Sequence, residues 1–140
     1  MILVDSSVWI AYFRGTDTPQ TATLDALLGR EPLLVGDLIL IEVLQGFTSD
    51  AEFIQARNLL VAFKTVELCT EELAIQAAIN FRALRKRGVT VRKTIDTVIA
   101  TCCIENDFAL LYSDRDFDSF VEHLGLRQAA SLLPAGGLSF

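Results

Sequence analysis

The chain has 140 residues with a net charge of −6, and 51% of them are hydrophobic while 21% are charged. This length is typical of one domain, and the composition excludes intrinsic disorder and a collagen-like chain. No run approaches the ~18 apolar residues of a membrane helix, and the apolar start lacks the basic region of a signal peptide. We therefore expect a single cytosolic domain over residues 1–131, followed by a flexible tail over 132–140.

The first half of the chain alternates short apolar runs with helical patterns. Ile2–Val4 predicts a buried strand, and Ser6 and Ser7 offer N-cap hydroxyls to a helix that ends near Phe13. Asp37 is the predicted cap of the third helix. The remaining elements predicted here are helix 21–28, strand 33–35, helix 38–45, helix 50–63 and strand 64–68.

The second half repeats this alternation. A long helix opens at Thr70 and closes at Gly88, and Thr94 is the predicted cap of another that runs to Asn106. A strand over 108–112 and a helix over 115–124 follow. Strands separated by helices throughout indicate an α/β sandwich around a mostly parallel sheet.

The cysteine and histidine content excludes several kinds of site. Three cysteines without a CxxC pair predict neither a disulfide framework nor a zinc site. A single histidine leaves His-based zinc sites and most Ser-His triads without their parts.

Half of the twelve basic residues form a local stripe in an otherwise acidic chain. This basic stripe consists of Arg82, Arg85, Lys86, Arg87, Arg92 and Lys93. It is either a surface that meets phosphate groups or a solvated helix end, where cations are also favourable.

Two predicted strands are each followed by an aspartate and a serine. The strand at 2–4 runs into Asp5, and the strand at 108–112 runs into Ser113 and Asp114. If the strands are parallel neighbours, Asp5 and Asp114 meet at one sheet edge, where α/β proteins bind ligands. Alternatively, each aspartate only caps the next helix.

Two further acids lie in predicted helices. Glu42 stands in the apolar run 38–44, where an unpaired carboxylate is costly and calls for a cation, either an arginine or a metal. The alternative is a glutamate at the margin of a surface helix. Asp96 lies in the first turn of its helix, where the helix dipole alone is sufficient reason for an aspartate.

Taken together, these four carboxylates predict a metal site. Four converging acids repel one another unless a divalent cation neutralises them, and oxygen-only ligation selects Mg²⁺ or Mn²⁺ over zinc. Such a site suits phosphoryl chemistry, and the basic stripe directly precedes Asp96, where a phosphate chain would approach. There is no glycine-rich phosphate loop.

Four sequence blocks, in order, resemble the PIN-domain family and most closely its VapC branch, the ribonuclease toxins of bacterial toxin–antitoxin pairs. The blocks are MILVDSSVWI at 1–10, EVLQG at 42–46, RKTIDTVIA at 92–100 and SDRDF at 113–117. The resemblance implies a PIN-like three-layer α/β/α sandwich and an endoribonuclease that depends on Mg²⁺ or Mn²⁺. It also implies an RNA substrate, a VapB-type antitoxin as partner, and homodimers or higher assemblies.

The resemblance further implies roles for individual residues. Asp5 and Asp96 would be direct metal ligands, Glu42 a third acid that ligates or activates water, and Asp114 the fourth. Asp116 competes for the last position, and strand geometry favours Asp114, because it directly follows Ser113 after the strand. Ser6 would assist through its hydroxyl, although capping alone explains a serine there, and Arg92 would contact phosphate or brace the acids.

Other readings remain. A hydrolase of the haloacid-dehalogenase type would need a second aspartate at the position of Ser7. A response-regulator receiver would need paired acids near the first strand and a lysine after a late strand, and neither is present. A PIN nuclease of RNA processing, or a PIN-like module that binds RNA or a partner without cutting it, stays open as an alternative.

Overall fold

Five parallel strands form the central sheet in the computed structural model of the chain, which describes residues 1–129. Their order is β3-β2-β1-β4-β5, so the first strand lies in the middle. The strands are β1 (Ile2–Val4), β2 (Leu33–Gly36), β3 (Lys64–Val66), β4 (Ala109–Leu111) and β5 (Arg127–Gln128). Every pairing among these strands is parallel, which confirms the predicted sheet and goes beyond "mostly parallel".

Seven α-helices and one 3₁₀ turn connect the strands within residues 1–129. Contacts group α1 with α2 and α3, and α3 with α4, whereas α5 contacts α6 and α7. Since parallel strands are joined by right-handed crossovers, the reversal of strand order at β1 places these two groups on opposite faces. The helices are α1 (Ser6–Phe13), α2 (Pro19–Leu27), α3 (Asp37–Leu44), α4 (Asp50–Leu60), α5 (Glu71–Lys86), α6 (Thr94–Asn106) and α7 (Asp118–Leu124).

The core lies on both sides of the three central strands. All residues of β1, β2 and β4 are buried, as expected for strands covered by helices on both faces. Trp9 is fully buried and stacks on Phe13 with ring centroids 5.9 Å apart. A Cβ on Gly36 would stand 2.5 Å from the side chain of Leu68, so only glycine fits at the end of β2 without displacing this buried leucine.

Several helix starts differ from their predictions. Asp5, and neither serine, is the N-cap of α1, because its carboxylate accepts the backbone N–H of Ser7. Gly36 precedes α3, and Asp37 lies inside the helix, where its Oδ1 accepts the N–H groups of Leu38 and Leu68. Lys93, and not Thr94, is the N-cap of α6.

The end of the domain also differs in detail. The predicted helix 115–124 divides into a 3₁₀ turn (Arg115–Phe117) and α7, because Asp114 caps the turn through the N–H of Asp116. The two-residue strand β5 has no counterpart in the sequence prediction. Residues 130–140, which include the predicted tail 132–140, lie outside the described residues.

None of the helices in residues 1–129 combines the length and the apolar character needed to span a bilayer.

Candidate active site

The carboxyl ends of β1 and β4 lie side by side, as predicted. Val4 pairs with Leu111, and the backbone N–H of Asp5 donates to the carbonyl of Leu111 across 2.9 Å. Asp5 and Asp114 therefore leave adjacent strands at the same sheet edge, and their charges act on each other. The first turn of α6 brings a third acid, Asp96, to this edge. The charges of Asp5 and Asp114 both raise the pKa of Asp96, which places it near them.

Asp5 is fixed by the start of α1. Its side chain is 4% exposed, and its Oδ2 accepts hydrogen bonds from the N–H and the hydroxyl of Ser7. Burial raises the pKa of Asp5 above its ordinary value, and the hydrogen bonds from Ser7 oppose this increase. The helix cap and the site thus share one carboxylate, so capping and a functional role are not exclusive here.

Asp96 is a buried acid among three other carboxylates. It is 5% exposed, and its Oδ2 is buried without a hydrogen-bond partner among the described residues. Burial raises the pKa of Asp96 to about 6; Lys93 opposes this increase, and the charges of Asp5, Asp114 and Asp116 add to it. An orphaned carboxylate oxygen amid like charges is the environment that a bound cation relieves.

Asp96, Asp114 and Asp116 each offer a carboxylate oxygen, and these oxygens lie within 4.8 Å of one another. Within residues 1–129 this is the one group of three or more such ligands that satisfies this spacing. Lys93 Nζ lies 3.3 Å from Asp114 Oδ2, and Arg92 Nη2 lies 3.1 Å from Asp116 Oδ1. The hydrogen bond from the N–H of Asp116 lowers the pKa of Asp114, and the hydrogen bond and charge of Lys93 lower it further. The structure therefore brings both competing aspartates to the site.

Glu42 reaches the site from α3. Its Oε1 accepts a hydrogen bond of 3.2 Å from the hydroxyl of Ser6. Burial raises the pKa of Glu42, the bond from Ser6 lowers it, and the charge of Asp5 raises it further. Glu42 is only half-buried and forms no ion pair in the part of the chain that is described, so of the two predicted cations, an arginine or a metal, no arginine is paired with it there. We call Asp5, Glu42, Asp96, Asp114 and Asp116 the acidic site.

Two residues at the acidic site were not among the predicted ones. Ser7 donates to Asp5 and also accepts the N–H of Ser113 at 3.4 Å, so it connects the first turn of α1 to the segment after β4. Lys93 was only one member of the basic stripe, although it lies three residues, about one helical turn, before Asp96. The sequence spacing contained a signal for Lys93, whereas the contact of Ser7 with Ser113 depends on strand pairing.

The composition of the acidic site fits a hard divalent cation. It contains carboxylates without cysteine or histidine, it holds one buried oxygen that lacks a partner, and burial raises the pKa of Asp5, Glu42 and Asp96. Mg²⁺ and Mn²⁺ prefer oxygen ligands of this type.

The basic stripe divides into three parts in the structure. Arg92 and Lys93 pair with acids of the site, and Arg87 contacts His123 at 3.3 Å. Arg82 and Arg85 face a cavity between α5 and α6. The four basic residues at the end of α5, Lys86 among them, are all exposed, so this part of the stripe is a solvated helix end, whereas Arg92 and Lys93 belong to the site.

Comparison with known proteins gives consistent results. The family model for the PIN domain matches residues 2–122. Ribonuclease VapC11 of Mycobacterium tuberculosis and a VapC ribonuclease of Mycobacterium bovis are each 31% identical over 134 residues, covering 94% of this chain and 98% of the relative.

Solved structures show the same fold at lower identity. VapBC2 of Rickettsia felis, bound to a DNA fragment of its promoter, has a TM-score of 0.69 at 13% identity and covers 91% of this chain and 97% of its own. VapC20 of M. tuberculosis, described as a toxin that cleaves the sarcin–ricin loop, has a TM-score of 0.65 at 16% identity, with 85% and 94% coverage. A toxin–antitoxin complex of Klebsiella pneumoniae has a TM-score of 0.65 at 17% identity, with 90% and 95% coverage.

Proposed function

The chain belongs to the PIN-domain family and, within it, to the VapC branch, and on this basis we propose that it is a metal-dependent endoribonuclease toxin. The observation that carries the proposal is Asp96, whose buried oxygen lacks a partner while Asp114 and Asp116 lie within 4.8 Å. Both 31% identical relatives are named as ribonucleases.

Asp5, Asp96 and Asp114 are the proposed ligands of Mg²⁺ or Mn²⁺. Asp5 and Asp96 are buried, and Asp114 contributes one of the three oxygens that fall within 4.8 Å. Asp116, which Arg92 holds, is the alternative fourth acid. When bound, the ion would lower the pKa of a coordinated water and neutralise charge on the scissile phosphate.

The remaining residues act around the phosphodiester. Glu42 has a raised pKa and is a proposed general base that orients the attacking water; Ser6 holds its carboxylate by the bond to Oε1. Lys93 lies at the mouth of the acidic site with its side chain 58% exposed, where it can bind a phosphate oxygen of the RNA.

A VapB-like antitoxin is the proposed partner. Two of the structural relatives are toxin–antitoxin assemblies, one of them bound to promoter DNA. We propose that such a partner neutralises the nuclease, that the toxin forms homodimers or higher assemblies, and that it acts on RNA in the cytoplasm.

The function is tested by incubating the purified chain with total RNA in the presence of Mg²⁺, Mn²⁺ or EDTA, beside an Asp96→Asn variant. We expect discrete fragments that require the metal and are missing with the variant. Cleavage that persists with Asp96→Asn would contradict the assigned site. Absence of cleavage by a preparation that binds Mn²⁺ would favour the non-cutting module.

A further inference from the structure

A cavity of about 510 Å³ lies between α5 and α6, next to the acidic site. This size is typical of small-ligand pockets. Ala77, Ala78 and Phe81 of α5 line it, and so does Thr97 of α6, the residue that directly follows Asp96. The cavity therefore shares one helical turn with the acid that we place at the metal.

One residue that lines this cavity carries a buried polar atom without a partner. Thr97 is 2% exposed, and its hydroxyl has no hydrogen-bond partner among residues 1–129. Thr101, one turn further on, is buried as well, but its hydroxyl accepts a bond of 2.9 Å from Asn80. Since buried hydroxyls are normally bonded, the orphan on Thr97 leaves one hydrogen-bonding group beside the cavity for a ligand that reaches it.

Two guanidinium groups stand at the rim. Arg82 and Arg85 line the cavity, and neither takes part in an ion pair within the described part of the chain. The guanidinium carbon of Arg85 lies 5.7 Å from the ring centroid of Phe81. In a chain with a net charge of −6, two arginines without ion pairs beside apolar lining residues favour a ligand that carries both a negative charge and a flat apolar group.

We propose that this cavity binds one nucleobase of single-stranded RNA, next to the phosphate held at the acidic site. The inference rests on the proposed function and adds a base-recognition site to it. The base would stack on Phe81 and Arg85, as unstacked bases do on aromatic rings and guanidinium planes. Arg82 would meet the adjoining phosphate, and the hydroxyl of Thr97 would bond the base edge.

Cavity filling is the first test. Ala78 is exposed and lines the cavity, so Ala78→Phe fills it without disturbing the core, whereas Ile79→Phe adds an aromatic ring to the neighbouring exposed position outside it. On a random-sequence RNA pool with sequenced fragment ends, we expect Ala78→Phe to lower kcat/KM by about 10-fold, the scale of one base–aromatic stack, and to flatten the base preference beside the cut. Ile79→Phe should change neither.

Two further substitutions separate hydrogen bonding from charge. Thr97→Val keeps the shape of the side chain and should weaken discrimination between bases more than it lowers the rate on the best substrate. Arg82→Gln should raise KM several-fold at low salt, while Lys86→Gln, which removes an exposed charge of the same helix outside the cavity, should not. Circular dichroism of each variant confirms that it is folded.

Photocrosslinking of a short RNA pool that contains 4-thiouridine gives a readout that is independent of cleavage. Crosslinks to peptides of α5 and α6 that Ala78→Phe abolishes support the base site even if the wild type cuts no RNA, which would overturn only the nuclease. Normal cleavage with unchanged base preference in Ala78→Phe and Thr97→Val would overturn the base site and leave the nuclease standing. If Ala78→Phe instead changes the oligomeric state or antitoxin binding, with RNA kinetics intact, the cavity holds a protein segment and the proposal is wrong.

Discussion

The hydroxyl of Ser6 donates a hydrogen bond of 3.2 Å to Oε1 of Glu42, which joins the first turn of α1 to α3. Ser6 stands beside Asp5, so one turn of helix positions both a buried acid and the half-buried one opposite it. This bond also lowers the pKa of Glu42 against the increase that burial causes.

Replacing Ser6 by alanine should therefore impair catalysis without unfolding the protein. We expect Ser6→Ala to lower kcat/KM by about 5- to 10-fold, the worth of one hydrogen bond, because Glu42 loses its positioning donor. The pKa of Glu42 should rise in this variant, because the hydrogen bond from Ser6 no longer lowers it, and the acidic limb of the pH–rate profile should move to higher pH. Glu42→Gln should lose ~100-fold or more; if it retains full activity, Glu42 is not the base.

The stability of the metal-free protein should depend on Asp96. Its pKa rises from 3.8 to about 6 on folding, so between these values the folded state binds more protons than the unfolded state. Stability in EDTA should therefore decrease as the pH rises from 4 to 7, and Asp96→Asn should weaken this decrease and melt at a higher temperature at pH 7.

Thermal melts of both proteins at pH 5 and pH 7 in EDTA measure this difference. The addition of Mn²⁺ at pH 7 should restore the stability of the wild type and leave Asp96→Asn largely unaffected, because ligands that bind only the folded state stabilise it. Equal pH dependence of the two proteins in EDTA would show that Asp96 does not carry the shift.

Lys93 should affect metal and RNA in opposite directions. Lys93→Met removes a cation that lies 3.3 Å from Asp114 Oδ2, so Mn²⁺ should bind a few-fold more tightly at pH 8, where Asp96 is ionised. The same variant should raise KM for RNA by about 10-fold, since the phosphate loses a charge-assisted contact. Calorimetry with Mn²⁺ and steady-state kinetics separate the two effects; Lys86→Met is the control, and weakening of both would indicate a purely structural lysine.

Asp114 and Asp116 can be distinguished by matched amide variants. Asn at position 114 still accepts the N–H of residue 116, so Asp114→Asn should keep the 3₁₀ turn folded while it lowers Mn²⁺ affinity by ~10-fold or more. Asp116→Asn should cost less, because Arg92 already occupies both carboxylate oxygens of Asp116 at 3.1 and 3.3 Å. A larger loss with Asp116→Asn would reverse the assignment.

The sheet and the meeting of Asp5 with Asp114 could be predicted because both depend on local patterns. Buried apolar runs mark β1 and β4, and parallel neighbours bring their carboxyl ends together. Asp96 was a weak signal, since an aspartate in a first helical turn needs no function. Its burial and its orphaned oxygen arise only when α6 packs on the sheet.

Other features depend on contacts that no local pattern contains. Strand β5 has two residues and pairs with β4 at the edge, too short for a periodicity to show. The apolar run around Glu42 favoured deep burial and a cation beside its carboxylate. In the structure, however, the neighbouring Ile41 is 57% exposed, and the hydroxyl of Ser6 donates a hydrogen bond to the Glu42 carboxylate. The bridge from Ser7 to Ser113 spans 106 positions of sequence.

The central position of β1 also determines when the acidic site can exist during synthesis. β1 pairs with β4 between Ile2 and Ala109, so the carboxylates cannot assemble until β4, far later in the chain than β1, has been synthesised. A nascent chain that still lacks β4 has Asp5 and Glu42 but neither Asp114 nor the neighbour that orients it. If the acidic site is the nuclease that we propose, a ribosome translating this message carries an inert polypeptide until it has synthesised β4.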